Sequence, residues 1–237
     1  FSERSGTINI ALEGIMVIGA LASCLFLSAV NLSGFGIAHP NLAMLLAILI
    51  APAAGSLFSL LLAFASVSLQ ADQTIGGTAL NMFAPAFAIV LTWAIQGQGQ
   101  STIYIPSWIR LTPETFGLAA ETADNFFGRL IFNYLFWTTP VVLILLALSI
   151  FIIFKTRFGL RLRSCGEHPH AADSVGINVY RYRYAGVAIS GFLGGIGGLA
   201  FAIAAGSGFD ASVAGYGFFA LAVDRKSTRM NSSHRIR

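Results

Sequence analysis

The sequence predicts an all-α membrane protein, a polytopic bundle of about five to six transmembrane helices. Three observations carry this. Only 10% of the 237 residues are charged and 56% are hydrophobic, whereas soluble domains carry about 25% charged residues. Charge is missing from Gly14 to Ala71, apart from His39, and from Leu130 to Phe154. Apolar runs of about 18 residues or more read as membrane spans. The alternating segments of roughly ten residues that mark a membrane β-barrel do not occur.

Taken in order, the first span runs from Ile10 to Asn31. The second runs from Leu42 to Leu69, with a kink expected at Pro52–Gly55. The third covers Ile75 to Ile95 and contains Pro85. The fourth covers Leu130 to Phe154, and the fifth Tyr184 to Ala205. A sixth begins near Ala211 and stops at Val223. In the fifth, Gly191 and Gly195 are four apart, as are Gly194 and Gly198. Such small-xxx-small faces let helices approach closely in lipid. They serve either tight static packing or a moving interface.

Loop charge sets the orientation. The block 155–183 carries Lys155, Arg157, Arg161, Arg163, Arg181 and Arg183, which the positive-inside rule assigns to the cytoplasm. The loop 97–129 carries Arg110 and Arg129 against Glu114, Glu121 and Asp124, and is expected outside. Its Tyr104, Trp108, Phe126 and Phe127 suit an interfacial aromatic belt or a partner surface.

The formal charge of +4 is a property of the tail. Asp224–Arg237 holds five Lys and Arg against one Asp, and without it the chain has nine basic and nine acidic residues. The charge is therefore no argument for nucleic-acid binding. Cys24 and Cys165 are not expected to pair, and neither lies in a His/Cys cluster of the zinc type. No signal peptide is visible. Nucleophile-elbow, phosphate-loop and HExxH motifs are absent, so no catalytic residue, metal or cofactor is expected. His168 and His170, two apart, do not share a helix face and read as solvated.

Polar residues inside apolar spans are candidate functional groups. Asn9 and Glu13 stand one turn apart in NIALEG, and Thr78 and Asn81 lie in TIGGTALN. These four are the candidate translocation-pathway residues. Glu13 could instead reach the cytoplasmic interface. Gly76 and Gly77 either break a helix beside a cavity or belong to a capped helix start.

Within the polar block, Gly166 to Gly176 reads as a short helix of its own. Pro169 suits a first turn, Ala171 and Ala172 favour helix, and Gly176 fits a left-handed stop. Such a helix between two spans is shaped to dock on another protein. An ordinary cytoplasmic loop is the plainer alternative.

The stretches FSERSGTINIALEGIM, LQADQTIGGTALN and TRFGLRLRSCGEHPHAADSVGINVYRYRYAGVAISGFLGGIGG resemble the permease subunit of bacterial ABC importers. More narrowly, they resemble the ribose and branched-chain amino acid permease family, on its nucleoside and simple-sugar branch. The resemblance covers about residues 1–223, a transmembrane permease domain. It implies a multi-pass protein of the bacterial plasma (inner) membrane that takes up nucleosides or simple sugars. It further implies a second permease, identical or similar, a cytoplasmic ABC ATPase that hydrolyses the ATP, and an extracytoplasmic substrate-binding protein. In such permeases the loop matching GE-x-P-x-AAD-x-x-GI is the coupling helix that touches the ATPase. Gly166, Glu167, Pro169, Ala171, Ala172, Asp173, Gly176 and Ile177 carry that match here, with His170 where Lys or Glu is more usual. The docking face is expected to include Ala172. Further spans before Phe1 and after Val223 are implied, so truncation at both ends is expected. Residues 224–237 depart abruptly from the pattern and are expected to be a non-native tail; the alternative is a polybasic segment on anionic lipid. An ion-coupled secondary transporter would need buried acids or broken helices paired between two halves. A non-transporting scaffold is a further alternative.

Overall fold

The computed structural model describes residues 1–97, 99, 102–104, 136, 138–206 and 208–223. The tail 224–237, the aromatics Trp108, Phe126 and Phe127, and most of 130–137 lie outside these residues. The chain is an all-helical bundle with five helices long and apolar enough to cross a membrane. Among the described residues there is no strand; Ile103 and Phe209 form an isolated antiparallel bridge.

The helices are α1 (Leu12–Leu32), α2 (Phe35–Ala38), α3 (Pro40–Ala63), α4 (Gln73–Gln96), α5 (Thr138–Lys155), α6 (Arg157–Glu167), α7 (Pro169–Ser174) and α8 (Val179–Ala205). A last helix, α9, occupies 216–223. Glu3–Ser5 forms one 3-10 turn, and Phe64–Ser68 continues α3 as a wider π turn. Pro52 sits inside α3 and Pro85 inside α4, and neither ends its helix.

The core is the trio α1, α3 and α8, and glycine makes it close. A Cβ at Gly195 would strike the carbonyl of Ala51 on α3, and one at Gly19 would lie 2.5 Å from the Cα of Gly195. Gly191 faces Ser59 and Gly55 of α3, while Gly194 and Gly198 face Leu12, Ile15 and Met16 of α1. The two small-residue faces of α8 thus serve two different neighbours. α4 packs on α1 through Gly77, Asn81, Ala84 and Ala88, all buried. By contrast only 6% of the α5 span is buried, against 50% for α1 and α8, so α5 is peripheral.

The loops sort into two ends. Gly6, Gly166 and Arg183 meet at one end, where all six basic residues of the polar block also lie. Ile103 pairs with Phe209 at the other. This agrees with the alternation that loop charge requires.

The sequence expectations need four corrections. α6 is an additional helix, so the short helix does not start at Gly166: Gly166 and Glu167 close α6, and α7 begins at Pro169 after a non-helical His168 (φ −142°, ψ 83°). The first span starts only at Leu12, behind a non-helical stretch. The fifth starts at Val179, because Asn178 caps it by accepting the N–H of Arg181 at 3.1 Å. The sixth does not start near Ala211: residues 208–215 are irregular, with Phe209, Ala211 and Val213 buried, and helix resumes at 216.

Candidate functional site

Two interruptions of the helical chain organise most of the polar groups singled out by sequence. The first lies between the 3-10 turn and α1. Gly6 has φ +84°, and the chain remains non-helical up to Ala11. The stretch starts at the basic end of the bundle and reaches membrane depth at Asn9. Asn9 bonds Ser190, which stands eleven residues beyond Val179 on α8, about 16 Å along the axis at 1.5 Å per residue. Non-helical backbone at that depth needs protein partners in place of water, and the neighbouring helices supply them. Asn81 of α4 accepts the Gly14 N–H at 2.8 Å and donates to the Ile10 carbonyl at 2.8 Å. Gln73 accepts the Ile8 N–H at 2.7 Å. Ser2 and Ser5 bond the carbonyls of Thr7 and Ser2.

Asn9 donates from Nδ2 to Ser190 Oγ at 3.0 Å. Its Oδ1 is buried and has no hydrogen-bond partner, although the residue is only 5% exposed. A buried acceptor without a donor is costly and calls for an explanation.

Glu13 does not reach the interface. Its carboxylate accepts the Gly215 N–H at 2.9 Å and the Gly217 N–H at 2.7 Å. It therefore caps α9, where orphan backbone donors and the helix dipole favour an anion. Gly217 is needed for this approach, since a Cβ there would lie 2.5 Å from the Glu13 backbone. Gly215, at φ +80°, turns the chain into α9. The glycines at 208, 215 and 217 were the sequence signal for this inward turn, and sequence reasoning had passed over them.

The structure gathers Asn9, Glu13 and Asn81 around the same non-helical stretch. Thr78 is not among them. It is exposed, and its hydroxyl bonds the Thr74 carbonyl of its own helix at 2.5 Å. Gly76 and Gly77 lie inside α4, whose start is capped by Asp72 accepting the Thr74 N–H at 2.7 Å. That N–H holds the exposed Asp72 carboxyl below its usual range.

The second interruption is the α6–α7 elbow. Thr156 breaks the chain after α5 and caps α6 by accepting the Gly159 N–H. His168 separates α6 from α7. Gly176, at φ +82°, ends the helix by donating to the Asp173 carbonyl, and Ile177 donates to that of Ala172. Ala172 is 3% exposed and faces the chain's own packing, so it is not on the free face of α7. That is a correction of the expected docking face, and its cause is that so short a helix needs an apolar anchor. His170, Ala171, Asp173 and Ser174 are the exposed positions of α7, and Val175 and Gly176 just after it are exposed as well. Beside them Cys165 is buried, which pushes its thiol pKa up.

Comparison with known proteins completes the description. The family model for the branched-chain amino acid transport system / permease component matches residues 1–223. The guanosine ABC transporter permease protein NupQ of Bacillus subtilis is 46% identical over 223 residues, 94% of this chain and 67% of that protein. The nucleoside ABC transporter permease protein NupC of Lactococcus lactis is 42% identical over 225 residues, with the same shares. The putative glucose ABC transporter permease protein TsgC13 of Haloferax volcanii is 26% identical over 212 residues, 83% of this chain and 54% of that protein. No solved structure matches the chain.

Proposed function

The chain belongs to the branched-chain amino acid transport system / permease component family, and on that ground we propose that it is the membrane-spanning permease of an ATP-driven nucleoside importer. The observation that carries the solute class is the identity to the guanosine and nucleoside permeases, 46% and 42%, against 26% to the glucose permease. ATP is hydrolysed by a separate cytoplasmic ATPase, and solute is delivered by an extracytoplasmic binding protein. A second permease completes the pathway. α7, with Gly166 and Glu167 before it and Gly176 after it, is the coupling element; its exposed His170, Ala171 and Asp173 meet the ATPase. ATP-driven motion of α7 is passed through α6 to the 3-10 turn and Gly6, which pack on α6 directly, and so to the non-helical stretch.

Of the pathway candidates, Asn9 is the solute contact. Its free Oδ1 accepts from a ribose hydroxyl or a base N–H once the spans re-pack. Glu13 and Asn81 hold the stretch that carries it. The ion-coupled alternative requires an ionisable group free to load and release a cation. Glu13 is the acid described within a span, and both its oxygens are engaged by backbone N–H groups.

The test is guanosine uptake by the full transporter in proteoliposomes. Uptake should require ATP, be insensitive to collapse of the proton gradient, and be competed by other nucleosides but not by glucose. Uptake that persists without ATP and stops when the gradient is collapsed would overturn the proposal.

A further inference from the structure

Lys155, Arg157, Arg161, Arg163, Arg181 and Arg183 surround the end of the bundle where α5, α6 and α8 meet. Among the described residues, none of the six is paired with a carboxylate. Between α6 and the first turns of α8 lies a cavity of about 490 Å³, walled by Phe158, Val175, Ile177 and Tyr182 and flanked by Arg161 and Arg181. The rings of Phe158 and Tyr182 pack with centroids 5.5 Å apart. Arg161 Nη1 donates to the Tyr182 hydroxyl at 3.3 Å, and this bond favours its charged form.

α6 has the build of an interfacial helix. Gly159, Leu162 and Cys165 face the protein. Leu160 on α6 is 63% exposed, and Phe154 at the end of α5 is 57% exposed. The Arg163 guanidinium lies 5.5 Å above the Phe154 ring. Exposed apolar side chains beside unpaired arginines suit the headgroup level of a bilayer.

We infer that this elbow cavity seats the headgroup of an anionic phospholipid. Arg161 and Arg181 bind the phosphate, and Phe158, Val175 and Ile177 cover the glycerol and first acyl carbons. Charge complementarity and the apolar wall argue for a lipid over an acidic side chain of the ATPase. The cavity is lined by Arg181, Tyr182 and Ala185 of α8, a membrane-spanning helix, which places it where a lipid headgroup reaches.

The experiment uses the full permease with its co-purifying ATPase, in nanodiscs of phosphatidylcholine with or without phosphatidylglycerol. Native mass spectrometry counts the lipid retained. Each arginine that touches the phosphate contributes about fivefold in retention. The double variant Arg161→Ala/Arg181→Ala should therefore retain phosphatidylglycerol roughly 25-fold less well, with its ATPase still bound. Arg157→Ala, on α6 outside the cavity, should change retention less than about twofold. Retention equal to wild type in the double variant would overturn the inference. So would displacement of the lipid by millimolar inorganic phosphate, which would indicate a soluble-anion site. Loss of the ATPase from the double variant in pure phosphatidylcholine would mark a protein interface instead.

Discussion

The chain breaks its helices at Gly6–Ala11 and again at His168, and the two breaks are satisfied in opposite ways. At the first, the partners come from far along the sequence: Asn81, Gln73 and Ser190. At the second they are local: His168 N–H to Ser164 and Ala172 N–H to His168 and, where α7 ends, Gly176 N–H to Asp173 and Ser174 Oγ to Ala171. The difference follows from solvent. Near water, an unmade backbone bond is replaced by hydration, so short-range turns suffice. At membrane depth no water replaces it, so other helices must lend side chains. The first break is therefore tied to distant parts of the bundle, and the second to its own turns.

Glu13 gives the sharpest contrast. Glu13→Ala leaves the buried Gly217 N–H and the partly buried Gly215 N–H at the start of α9 without an acceptor, each costing about 1–3 kcal/mol. A total of about 3 kcal/mol lowers the Tm of the full permease by roughly 6–12 °C. Glu13→Gln, which keeps one acceptor oxygen, should recover about half of that. Ser174→Ala at the elbow should change stability by less than about 0.5 kcal/mol. Thermal unfolding in detergent measures all three, and equal effects of Glu13→Ala and Ser174→Ala would erase the distinction between the breaks.

Asn81 follows. Asn81→Ala removes one acceptor and one donor from the non-helical stretch and should cost about 2 kcal/mol. Asn81→Asp keeps an acceptor for Gly14 but turns an oxygen toward the Ile10 carbonyl, so it should not rescue. Full recovery of Tm in Asn81→Asp would show that the Ile10 bond contributes nothing.

At the other break, the effect should appear in association. Ala171→Arg adds bulk and charge to the exposed face of α7. Overpacking typically costs about 1–3 kcal/mol, so ATPase affinity should fall roughly five- to hundredfold with Tm unchanged. Ala172→Arg forces an ion into the chain's own packing and should lower Tm as well. A normal pull-down of ATPase by Ala171→Arg would remove α7 from the coupling role.

Asn9 tests whether the locked break also touches solute. One hydrogen bond, about 1 kcal/mol, is lost to Ser190 in either Asn9→Ala or Ser190→Ala. Only Asn9→Ala also removes the free Oδ1, so it should raise the KM for guanosine about tenfold more than Ser190→Ala. Identical kinetics in the two variants would reduce Asn9 to a brace.

The helices were legible in the sequence because lipid demands long apolar runs, and each span was found to within several residues at its clearest end. Gly176 and Pro169 were legible too, since φ +82° and a first-turn position leave few residue types. The partners were not. Nothing in NIALEG points to Gly215, because the Glu13 bonds cross 202 and 204 residues. The buried side of α7 was missed because Ala suits both faces of a short helix, and only its packing against α6 decides between them. Thr78 was chosen for its polarity, but a threonine in a helix can satisfy itself on the preceding turn, and this one does.

The smallest effect concerns the start of α4, where a local cap stands beside the locked break. Asp72 is exposed, and the N–H of Thr74 holds its carboxyl below the ordinary range. A carboxylate whose folded pKa is depressed stabilises the fold above its unfolded pKa. That contribution is lost as pH falls through the folded value. The cap should therefore be intact at neutral pH and should weaken only below pH 4, where the ordinary carboxylate protonates. Asp72→Asn keeps an acceptor oxygen for Thr74 and carries no titrating charge, so its first turn should show no such change. Hydrogen exchange of the peptide 73–79, corrected for the intrinsic pH dependence and followed from pH 6 to 3, reads this directly. Protection should fall in acid for the wild type and stay level for Asp72→Asn. The bonds of Asn81, made eight residues further along the same helix to chain at membrane depth, have no titrating partner, so exchange at Gly14 should not respond. If Gly14 loses protection together with 73–79, the local cap and the long-range lock open as one unit, and the two kinds of break are not independent.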